Sequence, residues 1–384
     1  MKITIIGAGH MGSAIACDLV KRDHISIVQV CDAHRRSLNS IESRVDSPKL
    51  RLFHMDARDA TSLTPILAGS DCVIGASTPS LNPDIARSCI SIGSPFCDLG
   101  GGYDDGFSDP NLARDARTRG LWIIPNCGLD PGLVNILCLY GIEQFDRAES
   151  AQILIGNVPL HPEPPFNFRI AWSAEKLVSD YTTRAYVARD GKLVPKEPLE
   201  ECEPISFGDS FPNLEAFLTS STLTDQWSEL GLGLDRFDHK AIRWPGHAEQ
   251  MRLLLALGFG EQKNLDIRTH LTYRDVFVRR LKQRLGGSYK DVVLLRVEIC
   301  GELDGTSRKL TFELVEHYNE ETEMTAMRTC TALSAATVAV MLARKKIPGG
   351  GLLPPEQVLP KDEFVRKLVN AGLDIRQTWD EDLA

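Results

Sequence analysis

The chain opens on an unbroken β-branched run, residues 2–6 (KITII), which predicts a strand buried on both faces. GAGHMG follows at 7–12, and then Met11, Ile15, Leu19 and Val20 recur at helical spacing. A second apolar run, 25–31, ends at Asp32. The rhythm repeats. Strands are predicted over 50–55, 71–75, 95–97 and 121–124, with helical segments around 63–67, 81–92 and 110–119. Strands alternating with helices predict an α/β fold, a doubly wound parallel sheet of about six strands of the Rossmann kind.

After Gly132 the texture changes. A helix is predicted over 133–144, then strand-like stretches at 151–155, 184–188, 192–195, 292–300 and 309–318. Asp190-Gly191 between two of them is a hairpin signal. Proline clusters at 159–165 and 195–204 mark loops. This reads as an α+β domain with a mainly antiparallel sheet. A long helix rich in Ala, Thr and Val is predicted over 325–343, a loop over KKIPGGGLLPPE, and a last helix over 362–371.

Composition narrows the function. Of 384 residues 43% are hydrophobic and 25% charged, ordinary for a soluble globular chain. Net charge is −9, and the most basic run, Arg344-Lys345-Lys346, is three residues long. Nucleic acid and anionic membranes are therefore poor partners. The ten cysteines are never closer than eight residues, so no CxxC pattern exists. They read as buried thiols in a reducing compartment, which places the protein in the cytoplasm. The nine histidines form no HExxH, so no metal site is expected. The longest apolar stretch, 332–343, is too short to span a bilayer.

The glycines of 7–12 lie between a strand and a helix, the context a dinucleotide fingerprint requires. Gly7 permits the tight turn, Gly9 lets the backbone approach a pyrophosphate, and Gly12 lets the helix lie close to the strand. The helix N-terminus offers free N–H groups to phosphate. Asp32 follows Gly12 by twenty residues, where an acid should meet the adenosine ribose. It would repel a 2′-phosphate and so favours NAD over NADP, although Arg35 and Arg36 argue the other way. The cofactor candidates are Gly7, Gly9, His10, Met11, Gly12, Asp32, Ala33, Asp56, Ala57, Ser77, Thr78 and Pro79, at the carboxyl ends of predicted strands. Ser77, Thr78 and Pro79 suit a plain turn equally well.

GAGHMG with Asp32, NCGLDPGL at 126–133 and RWPGHAEQM at 243–251 resemble the saccharopine dehydrogenase-like oxidoreductases. The stretches at 155–181 and 352–359 resemble most closely its shorter members, the L-lysine 6-dehydrogenases. The resemblance implies a Rossmann domain at 1–131, an inserted substrate and oligomerisation domain at 132–325, and C-terminal helices, 326–384, returning to the first domain. It implies homo-oligomers and hydride transfer between a nicotinamide and a carbon bearing nitrogen. The leading expectation is oxidation of the lysine ε-amine to the semialdehyde. Saccharopine- or carboxynorspermidine-type secondary amines are the alternative. A non-catalytic NAD(H) sensor is a third reading, which a complete second domain argues against. The run DLGGGYDD at 98–105 departs from the pattern of other members and bears on the substrate pocket.

An ammonium ion cannot release hydride from its carbon until it loses a proton, and its unperturbed pKa is about 10.4. Asp130, His247 and Asp98 are the candidates for proton handling. Asp130 with Pro131 also suits the ordinary start of a helix, Asp as N-cap and Pro at the first position. His247 opens a helix, which disfavours imidazolium and would leave a neutral base; a packed turn residue is the other reading. Arg243 suits a bidentate clamp on a substrate carboxylate, or else a surface salt bridge. Asp98 is a second substrate-binding candidate, or a strand-end turn. Trp172 and Tyr181 flank a helix begun by Ser173 and read as core packing. Nothing near Cys97 or Cys127 marks an activated thiol.

Overall fold

The computed structural model describes residues 1–100, 107, 109–266, 270–287 and 289–381. The expectation for 98–105 therefore lies largely outside the described residues. The chain divides into two compact units, 1–136 with 328–373 and 137–327 with 374–384.

In the first unit the strands are β1 (Lys2–Ile6), β2 (Ile27–Asp32), β3 (Leu50–His54), β4 (Cys72–Gly75), β5 (Phe96–Asp98) and β6 (Trp122–Ile124). The helices between them are α1 (His10–Leu19), α2 (Arg35–Glu42), α3 (Ala60–Leu67), α4 (Asn82–Ile92) and α5 (Pro110–Thr118). The second unit begins with α6 (Leu133–Ile142), which starts in the first, and carries β7 (Arg147–Pro159), α7 (Ala174–Asp180), β8 (Ala185–Arg189), β9 (Lys192–Lys196), β10 (Glu203–Phe207) and β11 (Phe211–Leu218). It continues with the short α8 (Thr222–Asp225) and α9 (Trp227–Leu230), then β12 (Arg236–Arg243), α10 (His247–Ala256), α11 (Tyr273–Leu285), β13 (Asp291–Leu303) and β14 (Thr306–His317). The chain ends in α12 (Ala326–Ala343), β15 (Gly351–Leu352), α13 (Pro355–Val358), α14 (Lys361–Asn370) and β16 (Arg376–Glu381).

The first sheet is parallel throughout, in the order β15-β6-β5-β4-β1-β2-β3. The order reverses between β1 and β4, so a ligand crevice is expected at their carboxyl ends. Strand β1 is buried, as its apolar run requires, and Val73, Phe96, Ile123 and Ile85 build the core beside it. The sheet has seven strands. The added one, β15, was read as loop because only Gly351 and Leu352 pair, with Trp122 and Ile123.

The second sheet runs β10-β11-β12-β7-β13-β14-β16, with β8 pairing β12 and β9. Within this sheet only β12 and β7 pair in parallel among the described strands. The hairpin at Asp190-Gly191 forms, with both residues at positive φ, 50° and 74°. Strand β12 escaped the sequence reading because its core is polar. Asp238 and Lys240 are buried, and they tolerate this by pairing with Arg189, Arg236 and Glu203. The segment 326–384 does not return whole to the first unit. Strand β16 pairs with β14 from Arg308↔Glu381 to Glu313↔Arg376 and belongs to the second. Helix α12 lies where the sequence placed a long helix, 325–343, and extends beyond the twelve-residue apolar stretch 332–343. At 18 residues and hydropathy 1.4 it meets the length of a membrane span, but 83% of it is buried, as in a core helix.

Candidate functional site

The glycine loop explains itself sterically. A Cβ on Gly7, which sits at φ 112°, would lie 2.5 Å from the Ala76 carbonyl oxygen, and one on Gly12 would lie 1.9 Å from the Gly7 oxygen. Nothing lies within 4 Å of a Cβ on Gly9, so that side of the loop is open. Gly9 is the N-cap of α1 and supplies no side chain, which leaves the first-turn N–H groups at His10 and Met11 for an external acceptor. Asp32 reaches back across the loop. Its carboxylate accepts from the Ala8 N–H at 2.7 Å and the His34 N–H at 2.6 Å. Ala33 follows it at the surface.

The Ser77 hydroxyl is buried with no hydrogen-bond partner, and the Ser77 amide nitrogen is only 2.8 Å from where a Gly7 Cβ would be. Thr78 is exposed, and Pro79 starts a short 3-10 turn into α4. The turn accounts for Thr78 and Pro79; it does not account for the Ser77 hydroxyl. Asp56 pairs with Arg58 at 2.5 Å, and that guanidinium holds its carboxyl down to about 2. Ala57 packs half-buried on the core. These residues fit a dinucleotide: an open glycine, free N–H groups, an orphaned hydroxyl and an acid at the second strand.

At the end of β5, Asp98 is fully buried. It accepts from the Asn126 N–H at 3.0 Å, the Gly100 N–H at 2.8 Å and Asn82 Nδ2 at 3.0 Å. Burial pushes its carboxyl up to about 7 against those donors. A carboxylate enclosed in this way ties two loops together, and substrate binding gives way to positioning. Asp130 is exposed in the turn between Gly128 and Gly132. It is not the N-cap of α6, which starts three residues later, at Leu133. The Leu133 and Val134 N–H groups go instead to the carbonyls of Gly128 and Leu129. Asp130 is thus an exposed residue of the loop ahead of α6 and not its N-cap position. Cys97 and Cys127 are fully buried, and burial pushes the Cys127 thiol up.

In the second unit three polar side chains form a chain inside an aromatic wall. Arg243 Nε donates to Tyr181 Oη at 3.1 Å, and Tyr181 Oη lies 3.1 Å from His247 Nε2. The Phe166 carbonyl accepts from His247 Nδ1 at 3.3 Å. A carbonyl only accepts, so the proton sits on Nδ1, Nε2 accepts, and Tyr181 is the donor to it. His247 is fully buried, and burial, then Arg243, pushes its pKa down to about 3. The residue is neutral, as expected, but burial and not the helix end is the larger cause. Arg243 is 5% exposed and lies over Phe168 at 4.7 Å and Trp172 at 5.6 Å. No carboxylate pairs with it among the described residues, so the surface salt bridge is excluded. The turn that aims both groups has Gly246 at φ 89°, and the Glu215 carboxylate caps α10 through the N–H groups of Gly246 at 2.8 Å and Ala248 at 2.7 Å.

A family model described as the saccharopine dehydrogenase NADP binding domain matches residues 3–118, and one described as its C-terminal domain matches residues 128–373. The chain belongs to the saccharopine dehydrogenase family. Carboxyaminopropylagmatine dehydrogenase of Synechocystis sp. is 21% identical over 220 residues, 54% of this chain and 53% of its own length. The mitochondrial alpha-aminoadipic semialdehyde synthase of Bos taurus is 23% identical over 223 residues, 56% of this chain and 23% of that protein. The matched region thus spans about half, or less, of these curated relatives. Apo saccharopine dehydrogenase (L-Glu forming) from Saccharomyces cerevisiae superposes with TM-score 0.79 at 16% identity, covering 99% of this chain and 100% of that one. Homospermidine synthase from Legionella pneumophila, in complex with NAD, gives 0.69 at 12%, covering 99% and 91%. At such identities the likeness establishes the fold.

In this family member several polar groups had no sequence signal of their own. Tyr181 was read as core, yet its hydroxyl is the middle link between Arg243 and His247. Glu215 was not noticed because its partners are backbone N–H groups 31 and 33 residues away. Asn126 has φ 64°, is 1% exposed, and both ends of its amide are buried without partners. Its place in the NCGLDPGL run was the available hint. Arg44 and Arg328 both bear on His10 beside the glycine loop and, after burial, depress its pKa. Among the described residues no set of three His, Cys, Asp or Glu side chains is arranged for a metal.

Proposed function

We propose that this chain is an NAD-dependent oxidoreductase that acts on a C–N bond of a substrate carrying a carboxylate, with an amino-acid-derived secondary amine as the first substrate class. The observation that carries the substrate half is Arg243: a buried guanidinium with no carboxylate partner among the described residues, fixed by Tyr181 and by the Ile242 carbonyl at 2.7 Å. A buried cation without a partner is costly unless an anion completes it, and Arg presents donors suited to a carboxylate. Phe168 and Trp172 would flank the apolar stem of such a ligand.

The cofactor half rests on the glycine loop, Asp32, Ser77 and the Arg44 and Arg328 cations that bear on His10. Asn126, an amide with a free donor and a free acceptor, matches a carboxamide. Bound there, the dinucleotide would exchange hydride with a carbon that bears nitrogen. NAD is preferred to NADP because Asp32 places a negative charge at the loop. Asp130 is the proposed proton-handling carboxylate, from its exposure on the motif loop. In this arrangement His247 positions Tyr181: with its pKa at about 3 the ring stays neutral at neutral pH, its Nδ1 proton goes to the Phe166 carbonyl and its Nε2 is occupied by Tyr181.

The relatives' names favour the secondary amine, since carboxyaminopropylagmatine, saccharopine and homospermidine all contain one. Lysine ε-deamination is the second reading, favoured by the likeness of 155–181 and 352–359 to the lysine 6-dehydrogenases. Purified protein should reduce NAD at alkaline pH with saccharopine or a carboxyalkyl diamine. NADH with lysine and an equal amount of ammonia moves the assignment to the second reading. Tight NADH binding with no turnover on any amine moves it to the sensor. Ten free thiols make the cytoplasm the proposed place, and a homo-oligomer is expected by light scattering.

A further inference from the structure

The second sheet has a free edge at β16. This strand pairs with β14 on one side and with no described strand on the other. A free edge presents a row of backbone N–H and C=O groups that can template another strand, and proteins blunt such edges with proline, bulges or charges that repel. The other free edges of this sheet are blunted. Strand β10 carries Pro204 and a register shift between Ile205 and Phe207. Strand β9 carries Pro195, and a copy of itself laid antiparallel about Val194 would set Lys192 against Lys196. Strand β16 has neither device. Its sequence, RQTWDE, holds no proline, and its register is unbroken from Arg308↔Glu381 to Glu313↔Arg376.

The side chains carry a pattern that reaches this edge. Residues directly opposite across a strand pair share a face, so Arg296, Glu313 and Arg376 form one row, and Lys309 and Asp380 belong to another. The first row alternates in sign, with Arg296 and Glu313 joined at 2.6 Å. A second β16 laid antiparallel, with the two-fold axis on Thr378, sets Arg376 against Asp380 of the partner subunit, and the same contact occurs twice. The alternation then runs on across the seam: Arg296, Glu313, Arg376, Asp380 of the partner subunit, Lys309 of the partner subunit. On the other face Gln377 meets the partner subunit's Trp379; within one chain that ring is held on Phe145 at 5.3 Å. Moving the axis to Gln377 would set Asp374 against Asp380 of the partner subunit, and a register of opposite parity would turn each side chain to the wrong face. Arg376 pairs within its own chain with Asp374 at 2.7 Å, but both are exposed, so sharing the guanidinium across the seam costs little.

We propose that β16 is a dimerisation strand: two copies of this chain pair through it, antiparallel about Thr378, and join their second sheets into one. The backbone edge supplies the attraction and the charges choose the register. This rests on the homo-oligomer expected above and names its surface.

The test uses the full chain. Light scattering and sedimentation at micromolar protein should show a dimer. Asp380→Lys and Arg376→Glu should each weaken it by at least about tenfold, because each sets like charges face to face twice. An equal mixture of the two variants should recover the dimer to within about threefold of wild type, since Arg376 of one chain meets Asp380 of the other and the introduced lysine meets the introduced glutamate. A folding defect would not be repaired by mixing. Thr378→Cys, in a Cys202→Ser background that removes the exposed native thiol, should cross-link two chains when oxidised with diamide, because residues directly opposite in an antiparallel pair hold their Cα atoms about 4.5 to 5.5 Å apart. A monomer at every concentration overturns the proposal and the homo-oligomer with it. A dimer that ignores both charge variants, or whose Thr378→Cys form does not cross-link, overturns the role of β16 and leaves the homo-oligomer standing.

Discussion

Replacing Asp98 by Asn should change how the stability of the first unit depends on pH. Asp98 is fully buried, with a carboxyl pushed up to about 7. In the unfolded chain an Asp titrates near 3.9. The fold therefore holds the proton better, and the contribution of this group to stability is present in full below about pH 4 and is lost as pH climbs toward 7. Three pKa units correspond to about 4 kcal/mol, an upper bound on the loss. Opposing this, the carboxylate accepts three N–H donors. The Asn variant has no such proton to lose. It also has a ready partner, because Asn82 Oδ1 is buried and unbonded, and turning the Asn82 amide would present that oxygen to the new Nδ2. Glu316 and Glu356, also raised to about 7 by burial, act equally in both proteins and cancel in the difference.

The assay is urea unfolding, followed by circular dichroism, of wild type and Asp98→Asn from about pH 5 to about pH 8. The variant should gain on wild type as pH rises, by at least about 1.5 kcal/mol across that interval. A difference flat to within about 0.5 kcal/mol, or one that falls with pH, means the three N–H donors outweigh burial and Asp98 is an ordinary buried anion. The reasoning that makes it a pH-dependent tie between the two loops would then fail.

Gly12→Ala should abolish NADH binding measured by fluorescence, since its Cβ would fall 1.9 Å from the Gly7 oxygen; Gly9→Ala, with open space around it, should fold normally and lose only affinity. Arg243→Met should raise KM for a carboxylate-bearing amine by roughly a hundredfold, about 3 kcal/mol, with little change in kcat, and a decarboxylated analogue should not feel the change. Tyr181→Phe should cost about 2 kcal/mol of stability by denaturant titration, because it leaves Arg243 Nε and the buried His247 Nε2 unsatisfied. Asp32→Ser should raise kcat/KM with NADP relative to NAD; an unchanged ratio removes the argument for NAD.

Six strands of the parallel sheet, β1 to β6, were legible because each is a short apolar run followed by a chemically marked turn, whereas the two-residue β15 carries no such run. GAGHMG and Asp32 sit where local interactions decide the geometry: the Asp32 carboxylate accepts from the Ala8 N–H at 2.7 Å and the His34 N–H at 2.6 Å. The second unit was half legible for the opposite reason. Strand β13 opens on a continuous buried apolar run and β14 buries alternate positions, and both announce themselves. Strands β10, β11 and β12 mix charged and apolar residues, and their burial depends on pairs such as Lys240 with Glu203, 37 residues apart. No window of a dozen residues contains that information.

The same distinction separates what was found from what was missed at the site. Arg243 and His247 stand out in RWPGH because the Pro-Gly turn is local. Tyr181, which joins them, is 62 residues from one and 66 from the other. Its hydroxyl changes what both neighbours can do. It takes the Nε donor of Arg243, leaving the two terminal nitrogens to face outward or to hold the Ile242 carbonyl, and it occupies the one nitrogen of His247 that could accept a proton. A histidine so occupied and so deeply buried cannot serve as the base that the sequence suggested unless Tyr181 moves first. Asp98, buried at the end of β5 with its carboxyl pushed up to about 7, is closed off in the same way, whereas Asp130 on the NCGLDPGL loop is exposed, as the proposed proton-handling role requires.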